Sequence, residues 1–305
     1  MIPLAIASGR SMVEARARAI ADLDTVHSSQ DLRQRLATWK RAGARIGFVP
    51  TMGALHKGHL ALVRRAGELA DRVVASIFVN PTQFGPDEDF DRYPRDPQRD
   101  AELLQTAGCK LLFLPEVPTI YPEGHSTFVE VEGISDGLEA EQRPDHFRGV
   151  ATVVTQLLNL VQPDVVVFGE KDAQQLALVR RLVRDLRLPV EIEALPTVRE
   201  ADGLALSSRN AYLDSEDRKA ATVLYRALTA AREAIAAGER SAEVLRSTLL
   251  QELARETRFH VDYAEVVDAD SFQPIEYVRG RIVIPVAGRL GPTRLLDNIQ
   301  IDIED

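Results

Sequence analysis

Residues 50–59 read PTMGALHKGH, with two imidazoles, His56 and His59, three positions apart and Gly58 between them. The apolar run Arg45–Val49 precedes this segment, and Leu62, Val63, Ala66, Leu69 and Ala70 follow it at helical spacing, so the segment reads as a strand-to-helix turn. At such a turn the unpaired main-chain N–H groups and the helix dipole attract phosphate, and a glycine lets the chain approach closely. His56 and His59 then add side-chain donors for phosphoryl oxygens. Two histidines satisfied within a turn are the plain alternative. A zinc site is weaker still, because no carboxylate lies nearby at ligand spacing.

A second loop has the same placement. Gly169, Glu170, Lys171 and Asp172 follow the apolar run Val165–Phe168 and precede the helical stripe Leu176, Val179, Leu182, Val183 and Leu186. In isolation these letters describe a solvated turn, but their position points to the same sheet edge as the histidines. Ser207, Ser208 and Arg209 offer hydroxyls and a guanidinium that could bracket phosphate if their loop folds over the cleft. Gln83 and Gln175 can donate and accept at once, which suits a ligand carrying both hydroxyl and carboxylate. The acidic stretch Asp87, Glu88, Asp89 and Asp91 reads as a solvated loop rather than a metal site.

The elements that must carry these residues alternate along the chain. Val73–Val79 reads as a strand, Pro97–Ala107 as a helix opened by proline, and Leu111–Leu114 as a strand; Val150, Val153, Val154, Leu157, Leu158 and Val161 form another helical stripe. Continuous apolar strands alternating with amphipathic helices predict an α/β, doubly wound (Rossmann-like) parallel sheet. After residue 200 the rhythm changes. Asp214 or Ser215 can cap a helix running toward Gly238, and Ser241 another to about Glu256. Three strand-like runs follow, Phe259–Val267, Arg281–Val286 and Arg294–Ile303. The expected organisation is an N-terminal extension over 1–23, a Rossmann-like domain over 24–199 and a smaller α+β domain over 200–305, the last two sharing a cleft.

Composition narrows the field. Across 305 residues, 37 Lys and Arg against 46 Asp and Glu leave a net charge of −9 with no segregated basic face, which argues against nucleic acid as a partner. The single cysteine, Cys109, can form no internal disulfide and fits a reducing compartment. No stretch reaches eighteen consecutive apolar residues and the leading apolar patch is too short for a signal peptide, so a cytoplasmic protein without a membrane span is expected.

The turn resembles the His-x-Gly-His signature of the nucleotidyltransferase superfamily, and the wider sequence resembles the pantoate-beta-alanine ligase family. That resemblance runs through residues 78–96, 143–150 (RPDHFRGV), 165–175, 204–210 (LALSSRN) and 291–298 (GPTRLLDN). It implies that ATP and pantoate form a pantoyl adenylate with release of pyrophosphate, after which the amine of beta-alanine displaces AMP. It also implies a homodimer. By resemblance Met52, Gly53, Ala54, Leu55, His56, Lys57, Gly58 and His59 contact ATP, with His59 as proton donor. Gly169, Glu170, Lys171 and Asp172 hold the nucleotide, Val198 meets the adenine or ribose, and Leu206 to Arg209 form a second phosphate segment, expected to be mobile without ATP. Gln83 and Gln175 match pantoate-binding positions, and Val150, Val153 and Val154 either pack on its methyl groups or are ordinary core.

The chemistry fits. A carboxylate attacking the α-phosphorus is already ionised, so the protein must neutralise charge and hold an in-line geometry. His56, His59, Lys171 and Arg209 are the expected catalytic groups, Mg2+ accompanies ATP, and Asp100 is the candidate metal ligand. The sequence departs from the family pattern at Ala173 and Gln174, where an aromatic commonly precedes paired glutamines, and at Pro292. The leading residues have no family counterpart and read as a disordered arm or an early start, with Met12 another candidate. An adenylyltransferase that stops at a stable adenylate and a nucleotide-binding module without turnover are the competing readings.

Overall fold

The apolar runs pair as a six-stranded sheet, all parallel, in a computed structural model that describes residues 23–86 and 88–303. Its strands are β1 (Asp24–Val26), β2 (Ile46–Thr51), β3 (Arg72–Ile77), β4 (Leu111–Phe113), β5 (Val165–Gly169) and β6 (Glu191–Leu195), in the order β1-β4-β3-β2-β5-β6. Phe48, Val74, Leu111 and Val166 are fully buried, as strands covered on both faces require. The chain winds one way from β2 through β3 and β4 and the other way from β5 to β6. The switch point therefore lies between β2 and β5, where Gly47 pairs with Val165 and Phe48 with Val166.

β1, β6 and the helix Ser29–Arg41 were not among the expected elements. β1 has only three residues, and β6 is a half-exposed edge strand with two glutamates, so neither carries the continuous apolar signal of a central strand. The extension expected over residues 1–23 lies, apart from Leu23, outside the described residues.

The C-terminal part is an antiparallel sheet of β7 (Phe259–Ala264), β8 (Val267–Asp268), β9 (Gly280–Leu290) and β10 (Thr293–Ile303). β9 pairs with all three others. Pro292 falls in the two-residue turn between β9 and β10, beside Gly291 at φ +53°, so this departure from the family pattern costs no ladder hydrogen bond. Helices Val223–Ala236 and Ala242–Leu253 join this sheet in one apolar cluster through Leu224, Leu228, Leu245 and Leu249. Asp214 caps its helix as expected, accepting from the N–H groups of Glu216 and Asp217, but that helix ends at Ala220 instead of running on toward Gly238. At the break the Thr222 hydroxyl bonds back to the Lys219 carbonyl, the local competition that weakens threonine within helices.

Helix His146–Val161 is buried along most of its length and packs on the turn Pro81–Gln83. The contact depends on Gly149: its carbonyl accepts from Asn80 Nδ2 at 3.1 Å, and a Cβ there would lie 2.4 Å from the Thr82 carbonyl oxygen. Gly149→Ala is expected to push helix and turn apart at a cost of about 1–3 kcal/mol, measurable as lowered stability in denaturant unfolding. An unchanged midpoint would mean that the two backbones are not in forced contact.

Candidate active site

The turn after β2 is built around a reciprocal cap. His56 is the N-cap of helix Lys57–Leu69; its Nδ1 accepts from the Gly58 N–H at 3.2 Å, and His59 Nδ1 accepts from the His56 N–H at 3.3 Å. The rings lie 4.1 Å apart between centroids. Gly58 is required because a Cβ would stand 2.9 Å from the His56 ring. Since both Nδ1 atoms accept, each imidazole is the Nε2–H tautomer, a neutral donor. Burial is the first cause holding His56 down to about 4 and His59 to about 3, and the charge of Lys171 adds to both.

Asp100 corrects its assignment as a metal ligand. It is 1% exposed, and its two oxygens accept from the N–H groups of Ala54 and Leu55, both at 2.9 Å. Ala54 is held at φ +50°, and this carboxylate offsets the strain of the left-handed residue. Asp100 thus shapes the loop that presents His56. Among the described residues, no group of three or more His, Cys, Asp or Glu is placed to hold a metal ion.

One cleft brings most of the expected residues together: Met52, His56, Gly58, His59, Gln83, Gly169, Lys171, Asp172 and Gln175 line it, as do Val198 and Leu206 to Arg209. Gly53, Ala54, Leu55, Lys57 and Glu170 are not among its lining residues; Leu55 is core and Lys57 faces solvent. Val150, Val153 and Val154 are core and cleft wall at once.

The acidic stretch is more than a solvated loop. Asp89 binds Arg209 through both oxygens, at 3.0 and 3.3 Å, and Glu88 binds Arg143 at 2.7 and 2.9 Å. Tyr93 hydroxyl meets Ser208 Oγ at 3.3 Å. Asp87 lies outside the described residues.

Three groups of site residues had no role in the sequence reading. Arg143 and His146 come from RPDHFRGV: Arg143 Nη2 and His146 Nδ1 both donate to the Gln83 carbonyl, at 3.0 and 2.9 Å. His146 Nε2 accepts from Arg143, so this ring is also neutral, and burial first, then the arginine charge, hold it down to about 4. From GPTRLLDN, Asn298 on β10 donates to the carbonyls of Glu170 and Lys171, at 2.9 and 2.8 Å. Arg199 in turn binds Asp297 at 2.5 and 2.9 Å and the Asn298 carbonyl at 3.1 Å. Glu139, Tyr263 and Arg294 also line the cleft. The motifs were visible; their convergence was not, because each lies on a different element.

A sequence profile described as Pantoate-beta-alanine ligase matches residues 24–300. A pantothenate synthetase of Herpetosiphon aurantiacus is 54% identical over 261 residues, covering 85% of this chain and 95% of that protein. The crystal structure of pantothenate synthetase from Thermus thermophilus superposes with a TM-score of 0.87 at 50% identity, covering 91% of this chain and 99% of that one. Pantoate-beta-alanine ligase from Francisella tularensis, complexed with beta-gamma ATP and beta-alanine, gives 0.74 at 33% identity, over 91% and 97% of the two chains. No helix among the described residues is long and apolar enough to cross a membrane.

His56, His59 and His146 have folded-state values below the ordinary 6.5, so as pH falls the unfolded chain takes up protons first. The stability they contribute is fully present above pH 6.5 and is lost as pH falls from there toward about 4 for His56 and His146 and about 3 for His59. Catalysis that uses the neutral rings should show no histidine ionisation between about pH 6 and 8; a step centred near 6.5 in a pH–rate profile would contradict the tautomer assignment. Asn298→Leu removes both donors that hold the Lys171 main chain and should lower turnover about 10- to 100-fold, with circular dichroism unchanged; wild-type turnover would show that Lys171 is placed without it.

Proposed function

The chain belongs to the pantoate-beta-alanine ligase family, and from that premise we propose that it condenses pantoate with beta-alanine in an ATP-dependent reaction through a pantoyl adenylate. The observation that carries the reading is the meeting of His56, His59, Lys171 and the Ser207–Arg209 loop around one cleft, at the switch point of the parallel sheet. ATP lies with its phosphates against the turn after β2 and the loop after β5. Val198 meets the adenine or ribose. Magnesium would enter with the ATP substrate and supply charge to its phosphates, which asks for no all-protein cage.

In the first step the pantoate carboxylate attacks the α-phosphorus and the bond to pyrophosphate breaks. The carboxylate needs no base, so the work of the protein is placement and charge stabilisation. His56 and His59 supply Nε2–H donors that cost no proton transfer, and Lys171 supplies fixed positive charge. His59 therefore acts as a hydrogen-bond donor to the phosphoryl group. Gln83 and Gln175 orient pantoate against the apolar wall of Val150, Val153 and Val154. In the second step the neutral amine of beta-alanine attacks the acyl carbon; the amide forms, AMP leaves and the amine proton is released.

Arg209 is held by Asp89, which supports a loop already folded over the cleft, with phosphate competing for the guanidinium. A homodimer and a cytoplasmic location belong to the same reading and rest on the family relationship.

Purified protein with ATP, magnesium, pantoate and beta-alanine should release AMP and pyrophosphate in equal amounts. Pyrophosphate exchange into ATP should require pantoate and not beta-alanine. Lys171→Ala should lower the exchange rate by roughly 100-fold or more without loss of fold. Exchange that proceeds without pantoate, or a stable adenylate as the end product, would overturn the assignment.

A further inference from the structure

Glu139 stands where the two sheets meet. It is 5% exposed, begins the short helix Glu139–Gln142 and follows Leu138, whose φ of +52° marks a backbone held in a disfavoured conformation. Its carboxylate is gripped from the antiparallel sheet: Oε1 accepts from Arg294 Nη1 on β10 at 2.6 Å, and Oε2 from the Tyr263 hydroxyl on β7 at 3.1 Å. Arg294 is itself fixed by Asp262 at 2.7 Å.

On its other side Glu139 is linked to the segments of both glutamines assigned to the acid substrate. Its N–H donates to Gln174 Oε1 at 3.2 Å, next in sequence to Gln175. Its Oε1 lies 3.5 Å from Arg143 Nη1, and Arg143 together with His146 holds the Gln83 carbonyl. Gln83 Oε1 is occupied by Asn80 Nδ2 at 2.9 Å, so the amide nitrogen is the end free to meet a ligand. Gln83, Glu139, Arg143 and Arg294 all line the cleft.

We propose that Glu139 is a positioning residue for pantoate: it ties the antiparallel sheet to the turn that carries Gln83 and to the helix Ala173–Asp185 that carries Gln175, so that the acid subsite is set only when that sheet is docked. The inference rests on the pantoate reading of the two glutamines given above. Stability alone explains the arrangement poorly. Buried ion pairs lose much of their attraction to desolvation, and apolar replacements of the same volume often serve as well or better. What such a network supplies is direction, since each hydrogen bond fixes one atom of the next residue.

The test is pyrophosphate exchange, with pantoate varied at saturating ATP and ATP varied at saturating pantoate, in Glu139→Gln, Arg294→Gln and the double variant. Each single change should raise the KM for pantoate about tenfold and leave the KM for ATP within about twofold. The double variant should fall well short of the product of the two, because both cut one connection. Should Glu139→Gln fail to fold, Tyr263→Phe removes a single oxygen and Arg294→Lys keeps the charge; each should raise the pantoate KM roughly threefold, again without moving that for ATP. An unchanged pantoate KM in the folded variants, or a parallel rise in both constants, overturns the positioning role. Absence of pantoate-dependent exchange in the unaltered protein overturns the functional reading and this inference together; exchange with unchanged constants in the variants overturns this inference alone.

Discussion

The pairing of β2 with β5 is the constraint on which the site depends. Two strands separated by more than a hundred residues become neighbours at Gly47–Val165 and Phe48–Val166, and both end at the same edge of the sheet. The loops that leave them diverge, one toward β3 and the other toward β6, and the crevice between them is where open α/β sheets bind ligands. His56 and His59 come from one loop and Lys171 from the other. Any register shift between β2 and β5 would displace one loop against the other by a residue step of about 3.3 Å and change which side chains share the cleft wall.

Placement in this crevice has an electrostatic consequence. Imidazoles drawn out of water beside an ammonium group lose their affinity for a second proton, and the mutual cap at the helix N-terminus leaves each with its hydrogen on Nε2. Lys171 then brings positive charge to the cleft and the Arg209 guanidinium is paired with Asp89, while the imidazoles offer directed donors. Asp100 belongs to the same logic from behind: its charge is spent on two main-chain N–H groups of the loop, which places the histidines without adding a negative charge to the cleft.

The antiparallel sheet completes the site rather than merely covering it. Asn298 clamps the main chain of Glu170 and Lys171, Arg199 and Asp297 fix Asn298, and Arg294 and Tyr263 hold Glu139. These contacts join the Lys171 segment and the Glu139 segment of the cleft wall to strands of one small sheet.

The doubly wound class, the strand-to-helix placement of His56, His59 and Lys171, and the helix caps at Asp214 and Ser241 were all legible in the chain, because each is written in residues close together: a period of apolar side chains, a cap before it, a glycine at a turn. Edge strands β1 and β6 were not, since a short, half-exposed strand has no continuous apolar run. Asp100 was misread for a related reason. A lone aspartate in a helix looks the same whether its oxygens face solvent, a cation or a loop folded against it from 45 residues away. Glu88 and Asp89 likewise pass for a solvated run until Arg143 and Arg209 are brought to them. The sequence by itself determined which local units form and which of them are strand-to-helix turns. Only the tertiary structure decided which turns face one another and which buried charges pair, because those outcomes depend on strand order and on contacts between residues far apart in the chain, for which local pattern carries no signal.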